Sequence, residues 1–353
     1  MPKIAIIPGD GVGIDVTAEA VKVLNKINAL ENLGLELVEF DFGAEHYLKT
    51  GVALPDGQIE DFRENYDAIF LGALGDPRIP DMAHGRKILL AMRFELDLFI
   101  NLRPVKLYHE RLCPIKNKLP NDVDFVVFRE NTEGPYVGAG GVLKKNTPDE
   151  VAIQESIHTR KGVERIIRAA FEYAEEHDLP KVTMSDKANV LRFGHDLWQR
   201  AFREVGEEHP KIEKEHFYVD ALVMEMVRAP ERFQVIVTEN MLGDIVTDLG
   251  AMLQGGLGMA ASGNINPDGV SLFEPVHGSA PPLAGKNLAN PIAAIATVEM
   301  MLSHLEFSFA AQKINDAIQT AISENQVTED LGGRLGTSDV GDFIVEMLKW
   351  SNS

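Results

Sequence analysis

Two aspartates, Asp244 and Asp248, stand four residues apart in "TENMLGDIVTDLG" (238–250), a stretch with helical spacing. Like charges at that separation share a helical face and repel by about 0.2–0.5 kcal/mol. A place in the first turn, where the helix dipole favours an anion, accounts for Asp244. It does not account for Asp248, one turn further in and beside apolar neighbours. A third carboxylate, Asp220, interrupts the apolar run of "FYVDALVMEMV" (217–227). Three such groups suit a hard divalent cation, since Mg²⁺ takes one or two carboxylates together with substrate and water oxygens. No paired-cysteine or multi-histidine spacing competes for zinc.

The candidate cations are grouped as well. "ILLAMRFELDLFINLRPVKLY" (88–108) carries Arg93 and Arg103, and "FRENTEGPY" (128–136) adds Arg129. Arg86, Leu89, Leu90 and Arg93 recur at i, i+3, i+4 and i+7, which puts them on one face of an α-helix. Arginines in such company either snorkel at a core edge or grip carboxylates with their guanidinium forks while the leucines contact an apolar group. Lys187, in "MSDKANVLRFGHDLW" (184–198), stands where a strand gives way to a helix. Lysines are usually solvated, but one crowded by cations or desolvated acts as a base. The residues alone leave these alternatives open.

The loops divide more clearly. "FEPVHGSAPPLAGKNLANP" (273–291) is long and polar, with small residues that let a ligand approach backbone N–H groups. It is the better nucleotide-site candidate. "PGDGVG" (8–13) follows a strand and opens a helix, but its spacing is G-x-G-x-G rather than G-x-G-x-x-G. It reads as a tight strand-to-helix turn.

Short strand-like runs, "KIAIIPG", "LELVEFDF", "DAIFLGA", "DFVVFRE", "KVTMSDK" and "FQVIVTEN", carry these residues. Helical stretches at 16–27, 160–177 and 193–206 separate several of them, which argues for an α/β fold with parallel strands. Residues 137–159 read as a hairpin arm suited to pairing with a copy of itself. The C-terminal third is helical and lacks strong strands, so it is expected to pack back on the N-terminal sheet. A chain of 353 residues, 45% hydrophobic, is long enough for two domains. Its 34 Lys and Arg against 54 Asp and Glu leave a net charge of −20, which argues against a nucleic-acid partner. The apolar runs fall short of a membrane span. A single cysteine, Cys113, fits a reducing cytoplasm, and "MPKIAIIPGDG" is expected to carry no signal peptide.

Together these stretches resemble the β-decarboxylating dehydrogenases of 2-hydroxy acids, the family of isocitrate, 3-isopropylmalate, homoisocitrate and tartrate/D-malate enzymes. The resemblance runs from "IPGDGVG" through "LRP", "RENTEGPY", "SDKANV", "GDIVTDL" and "EPVHGSAP" to "GTSDVG". It implies an isocitrate/isopropylmalate dehydrogenase-like fold with two α/β domains, not a Rossmann fold. One domain would take residues 1–100 and 255–353 and bind the cofactor. The other, 101–254, would bind substrate and dimerise through the arm. The resemblance assigns Arg93, Arg103 and Arg129 to the substrate carboxylates, Leu89 and Leu90 to its side chain, and Tyr136 and Lys187 to catalysis. Asp220, with Lys187, would reach the site of the other subunit of a homodimer with shared active sites, and Asp220 would also meet substrate. Asp220, Asp244 and Asp248 would hold Mg²⁺ or Mn²⁺. Glu274, His277, Gly278, Ser279, Ala280, Asn290 and Asn189 would contact the cofactor.

Leu89 and Leu90 favour an isopropyl group, because a carboxylate against them would lose hydration without a partner. The expected reaction is therefore oxidative decarboxylation of 3-isopropylmalate in leucine biosynthesis. Tartrate/D-malate, homoisocitrate and isocitrate substrates are the alternatives, and a noncatalytic regulatory subunit is a further one. Arg86 departs from the pattern, since many 3-isopropylmalate enzymes have a glutamate near that point. Pro282 stands where many NAD-using members have a ribose-binding aspartate. Pro282-Leu283 offers no cation for a 2′-phosphate, so NAD is expected rather than NADP.

Overall fold

The computed structural model describes residues 1–348. The chain forms two compact units, one of Met1–Leu98, Leu107–Pro120 and Ala251–Ser353, the other of Phe99–Lys106 and Asn121–Gly250. In the first, the strands lie in the order Glu36–Glu39, Lys3–Ile7, Ala68–Leu71, Ser271–Pro275 and Ala261–Ile265. All neighbours run parallel except the last pair. Ile4 and Ile6 point into a core with the helices Val12–Glu31, Ile292–His304 and Ser308–Ser323, while Ala5 and Ile7 point to the opposite face with Phe62, Ile88 and Met92. Burial on both faces is why these strands read as unbroken apolar runs.

The second unit orders its strands Ile100–Lys106, Asp124–Glu130, Val235–Thr238, Lys181–Asp186 and Glu213–Tyr218. Only the first pair is antiparallel. The helix Arg160–Glu176 buries Val163, Ile166, Ile167, Ala170 and Ala174 at helical spacing, and the Thr159 hydroxyl caps it from 3.0 Å to the Gly162 amide. Residues 140–143 and 151–154 pair antiparallel as a two-stranded arm whose residues are all exposed.

Several sequence expectations need correction. Leu107–Pro120, expected in the middle domain, belongs to the first unit, where Tyr108 donates to Asn315 at 3.0 Å and Arg111 to the Ile322 carbonyl at 2.7 Å. The C-terminal third does hold strands, Ala261–Ile265 and Ser271–Pro275. Their polar residues pair with each other, Ser262 with the Glu274 carbonyl at 2.9 Å and Asn264 with its carboxylate at 2.8 Å, so the apolar pattern that marks a buried strand is weak. The α-helical face through Arg86 and Arg93 is interrupted, because Arg86–Leu90 is a π-helical turn between two short α-helical ones. The extra residue breaks the i, i+3, i+4 repeat. Among the described residues no helix is long and apolar enough to cross a membrane.

Candidate active site

The parallel strand Asp124–Glu130 carries Arg129, and the helix Asn240–Leu253 follows the adjacent strand Val235–Thr238. The first turn of that helix is capped by Glu239, whose carboxylate accepts from the Met241 and Leu242 amides at 2.9 and 2.8 Å. Burial raises the Glu239 pKa. Asp244 therefore lies one turn inside the helix, not in its first turn as the sequence suggested, and the helix dipole explains neither aspartate.

Arg129 explains the first. Its side chain is buried and donates to Asn240 Oδ1 from Nη2 at 2.8 Å, to the Asn240 carbonyl from Nε at 2.9 Å, and to Asp244 Oδ1 from Nη1. Arg103, also buried, donates to Asn101 at 2.7 Å and Thr247 at 2.6 Å, with Nη2 3.5 Å from the same Asp244 oxygen. The Tyr136 hydroxyl donates to Asp244 Oδ2 at 3.1 Å, and Arg129 lies 5.3 Å from its ring centroid. The structure thus gathers Arg103, Arg129, Tyr136 and Asp244, and the two guanidiniums offset the repulsion expected between Asp244 and Asp248. Gly243 makes this possible, since a Cβ there would lie 2.6 Å from Arg129 Cγ.

Asp248 is exposed on the same helix. Lys187 and Asp220 form a separate ion pair, which holds the Asp220 carboxyl below the usual carboxylate range. The neighbour of Lys187 is thus a carboxylate rather than a crowd of cations. The Lys187 amide donates to His195 Nδ1 at 2.7 Å, and the Ala188 amide to buried Asp186 at 3.0 Å. Asn189, beyond them, is exposed.

In the first unit, buried Arg93 reaches Glu274 at 3.2 Å, while its Nε is buried without a partner. Leu89 and Leu90, four and three residues before it in the chain, are half-buried and Arg86 is exposed. His277 donates from Nδ1 to the Gly278 carbonyl at 3.0 Å, leaving a buried Nε2 with no partner, and burial lowers its pKa. Gly278 and Ala280 are exposed, and Ser279 and Asn290 are buried. Asn290 is committed at both ends, to Asp330 and to the Ile292 amide, each at 3.0 Å.

Sequence reasoning missed Asn240, Thr247, Asn101 and His195. Asn240 and Thr247 share a helix with the two aspartates, and Asn101 precedes Arg103 by two residues on one strand face, which is the signal that locates them. Nothing local marks His195.

The family model for isocitrate/isopropylmalate dehydrogenase matches residues 3–344. The chain is 47% identical to the 3-isopropylmalate dehydrogenase of Thermobifida fusca, over 98% of this chain and 97% of that one. It is equally 47% identical to the enzyme of that name from Bifidobacterium longum, over 98% of each. A solved isocitrate dehydrogenase from Methylococcus capsulatus superposes with a TM-score of 0.89 at 38% identity, covering 99% of this chain and all of the other.

Two outcomes follow from this geometry. Gly243→Ala should push Arg129 aside and lower kcat/KM at least about tenfold; an unchanged value would show that Arg129 needs no such access. Burial lowers the His195 pKa from 6.5 to about 4, so the unfolded chain takes up a proton between those values that the folded chain refuses. Stability should therefore fall by up to about 3 kcal/mol as pH drops through that window. Thermal melts should show this slope, shallower in His195→Gln, and equal slopes would contradict the assignment.

Proposed function

We propose, from the premise that this chain belongs to the isocitrate/isopropylmalate dehydrogenase family, that it oxidises and decarboxylates 3-isopropylmalate to 4-methyl-2-oxopentanoate with reduction of NAD, a step of leucine biosynthesis. The observation that carries the choice of substrate is the half-buried pair Leu89 and Leu90, within one helical turn in sequence of buried Arg93. An apolar group gains contact there while the guanidinium, with a donor still unpaired, takes a carboxylate. Arg103 and Arg129 take the remaining carboxylate charge. Relatives named for the same substrate support the reading.

The residues fit both expected cofactors. Asp244 and Asp248 offer hard oxygen donors suited to Mg²⁺ or Mn²⁺. The shared-site reading adds Asp220 from a second copy as the third carboxylate. The unpartnered His277 Nε2 supports the reading of Glu274, Gly278, Ser279 and Ala280 as cofactor contacts, and the resemblance adds Asn189. When bound, the cation would supply Lewis acidity to the substrate and the nicotinamide would supply an acceptor for the C2 hydride. Lys187 from the second copy assists removal of the hydroxyl proton, which requires it to give up its ion pair with Asp220. The C3–carboxylate bond then breaks to release CO₂, and Tyr136 protonates C3.

A homodimer is part of this reading. Met224, Val227, Met241 and Ile245 are exposed on two helices of the second unit, and Val142, Leu143, Val151 and Ile153 on the arm, apolar side chains that a second copy would cover. A cytoplasmic location is supported by Cys113, a free thiol.

Purified protein with Mg²⁺ and each candidate hydroxy acid, followed by NADH and NADPH absorbance, tests the reading. 3-Isopropylmalate with NAD should turn over fastest, and mixed Lys187→Ala and Asp248→Ala chains should regain activity through one intact shared site. Faster turnover of isocitrate or D-malate would overturn the substrate, and no regain despite subunit exchange would overturn the shared site.

A further inference from the structure

The turn "PGDGVG" is not consumed by the reading above, yet its aspartate is buried and fully engaged. Asp10 is 5% exposed at the end of the strand Lys3–Ile7. Its Oδ1 accepts from the Ala44 amide at 2.6 Å, and its Oδ2 from the Gly75 amide at 2.8 Å and from His84 Nε2 at 2.8 Å. His84 is wholly buried, and its ring stacks on Tyr47 at 6.0 Å between centroids. It sits in the helical turn Ala83–Gly85, directly before the π-turn that carries Leu89 and Leu90.

The same turn grips the other half of the site. The Val12 amide donates to the Ser279 carbonyl at 2.8 Å. Gly11 lies at φ +57°, and a Cβ on it would stand 2.2 Å from that carbonyl. Glycine is required here by the close approach as much as by the dihedral. Gly75, the second amide on Asp10, also abuts Ser279, whose hydroxyl would lie 2.8 Å from a Cβ at position 75. One carboxylate therefore anchors the entrance of the substrate helix and the backbone that seats the cofactor loop.

We propose that Asp10 is a positioning residue that sets the Leu89–Arg93 helix through His84 and the His277–Ala280 loop through its own turn, fixing one against the other. The proposal rests on the roles assigned above to that helix and that loop. A carboxyl group brings an oxygen to each of the two sides of this geometry. Its two oxygens accept from three converging donors, whereas an asparagine must turn its NH₂ toward at least one of them. In either orientation it faces a backbone amide, since Ala44 stands on one oxygen and Gly75 on the other.

Asp10→Asn and His84→Leu separate the two arms. Hydrogen–deuterium exchange of the free protein should quicken in both 82–90 and 277–285 for Asp10→Asn, but only in 82–90 for His84→Leu. Correspondingly, Asp10→Asn should raise both the hydroxy-acid KM and the NADH Kd about tenfold, while His84→Leu raises the KM alone. Exchange unchanged in both stretches of Asp10→Asn, or quickened equally in 277–285 by His84→Leu, would overturn the proposal. If Asp10→Asn does not fold, His84→Leu decides by whether its effect stays within 82–90. The exchange measurements need no turnover, so a failure of the assigned reaction would show in the kinetics and leave this test standing.

Discussion

A buried guanidinium must have its charge met inside the fold, and Arg129 meets its charge with Asp244. That requirement orders much of the second unit. The strand Asp124–Glu130 delivers Arg129 beside the start of the helix Asn240–Leu253, Asn240 satisfies the rest of the guanidinium, and Gly243 leaves it room. Arg103 joins the same carboxylate oxygen, and Tyr136 occupies the other. Both Asp244 oxygens are thus in use before any ligand arrives. A divalent cation at Asp244 has to compete with two arginines for one carboxylate. On the proposed reading an anionic substrate would change that balance, because its carboxylate would offer the guanidiniums a second partner. Metal and hydroxy acid would then be linked, each making room for the other.

Carboxylates recur in a second role at the ends of strands. Asp10 follows Lys3–Ile7, Glu130 ends Asp124–Glu130, and Glu239 follows Val235–Thr238. Each accepts backbone amides: Ala44 and Gly75 on Asp10, Thr132 and Glu133 on Glu130, Met241 and Leu242 on Glu239. Burial raises the pKa of Glu130 and Glu239. Loops at the carboxyl ends of parallel strands carry the working residues of open α/β sheets. Here buried acids tie such loops to the strand ends through backbone amides. Part of the net charge of −20 is therefore structural.

Much of this was legible in the sequence because apolar runs and their breaks follow burial. Lys3–Ile7, Ala68–Leu71 and Val235–Thr238 are fully or nearly fully buried and read directly as strands. Glu213–Tyr218 was not legible, because it lies at an edge with alternating charged residues. The strand Ala261–Ile265 was hidden by polar residues that find partners only once folded, and Ser271–Pro275 showed only as a short strand before the polar loop. The candidate residues were legible through motif order. The π-turn at Arg86–Leu90 was not, since one extra residue per turn leaves no compositional mark. His195 and His84 were illegible for a different reason: their roles depend on partners, the Lys187 amide and Asp10, that topology alone brings near.

The competition for Asp244 can be measured by calorimetric titration of Mn²⁺ into the protein, alone and with saturating 3-isopropylmalate, after subtracting the metal–hydroxy-acid complex formed in buffer. If Arg129 and Arg103 exchange Asp244 for the substrate's carboxylate, the hydroxy acid should tighten Mn²⁺ binding at least about tenfold, a coupling of about 1.4 kcal/mol. Equal Mn²⁺ affinity with and without the hydroxy acid would contradict the exchange, and with it the place given to the Arg129–Asp244 pair.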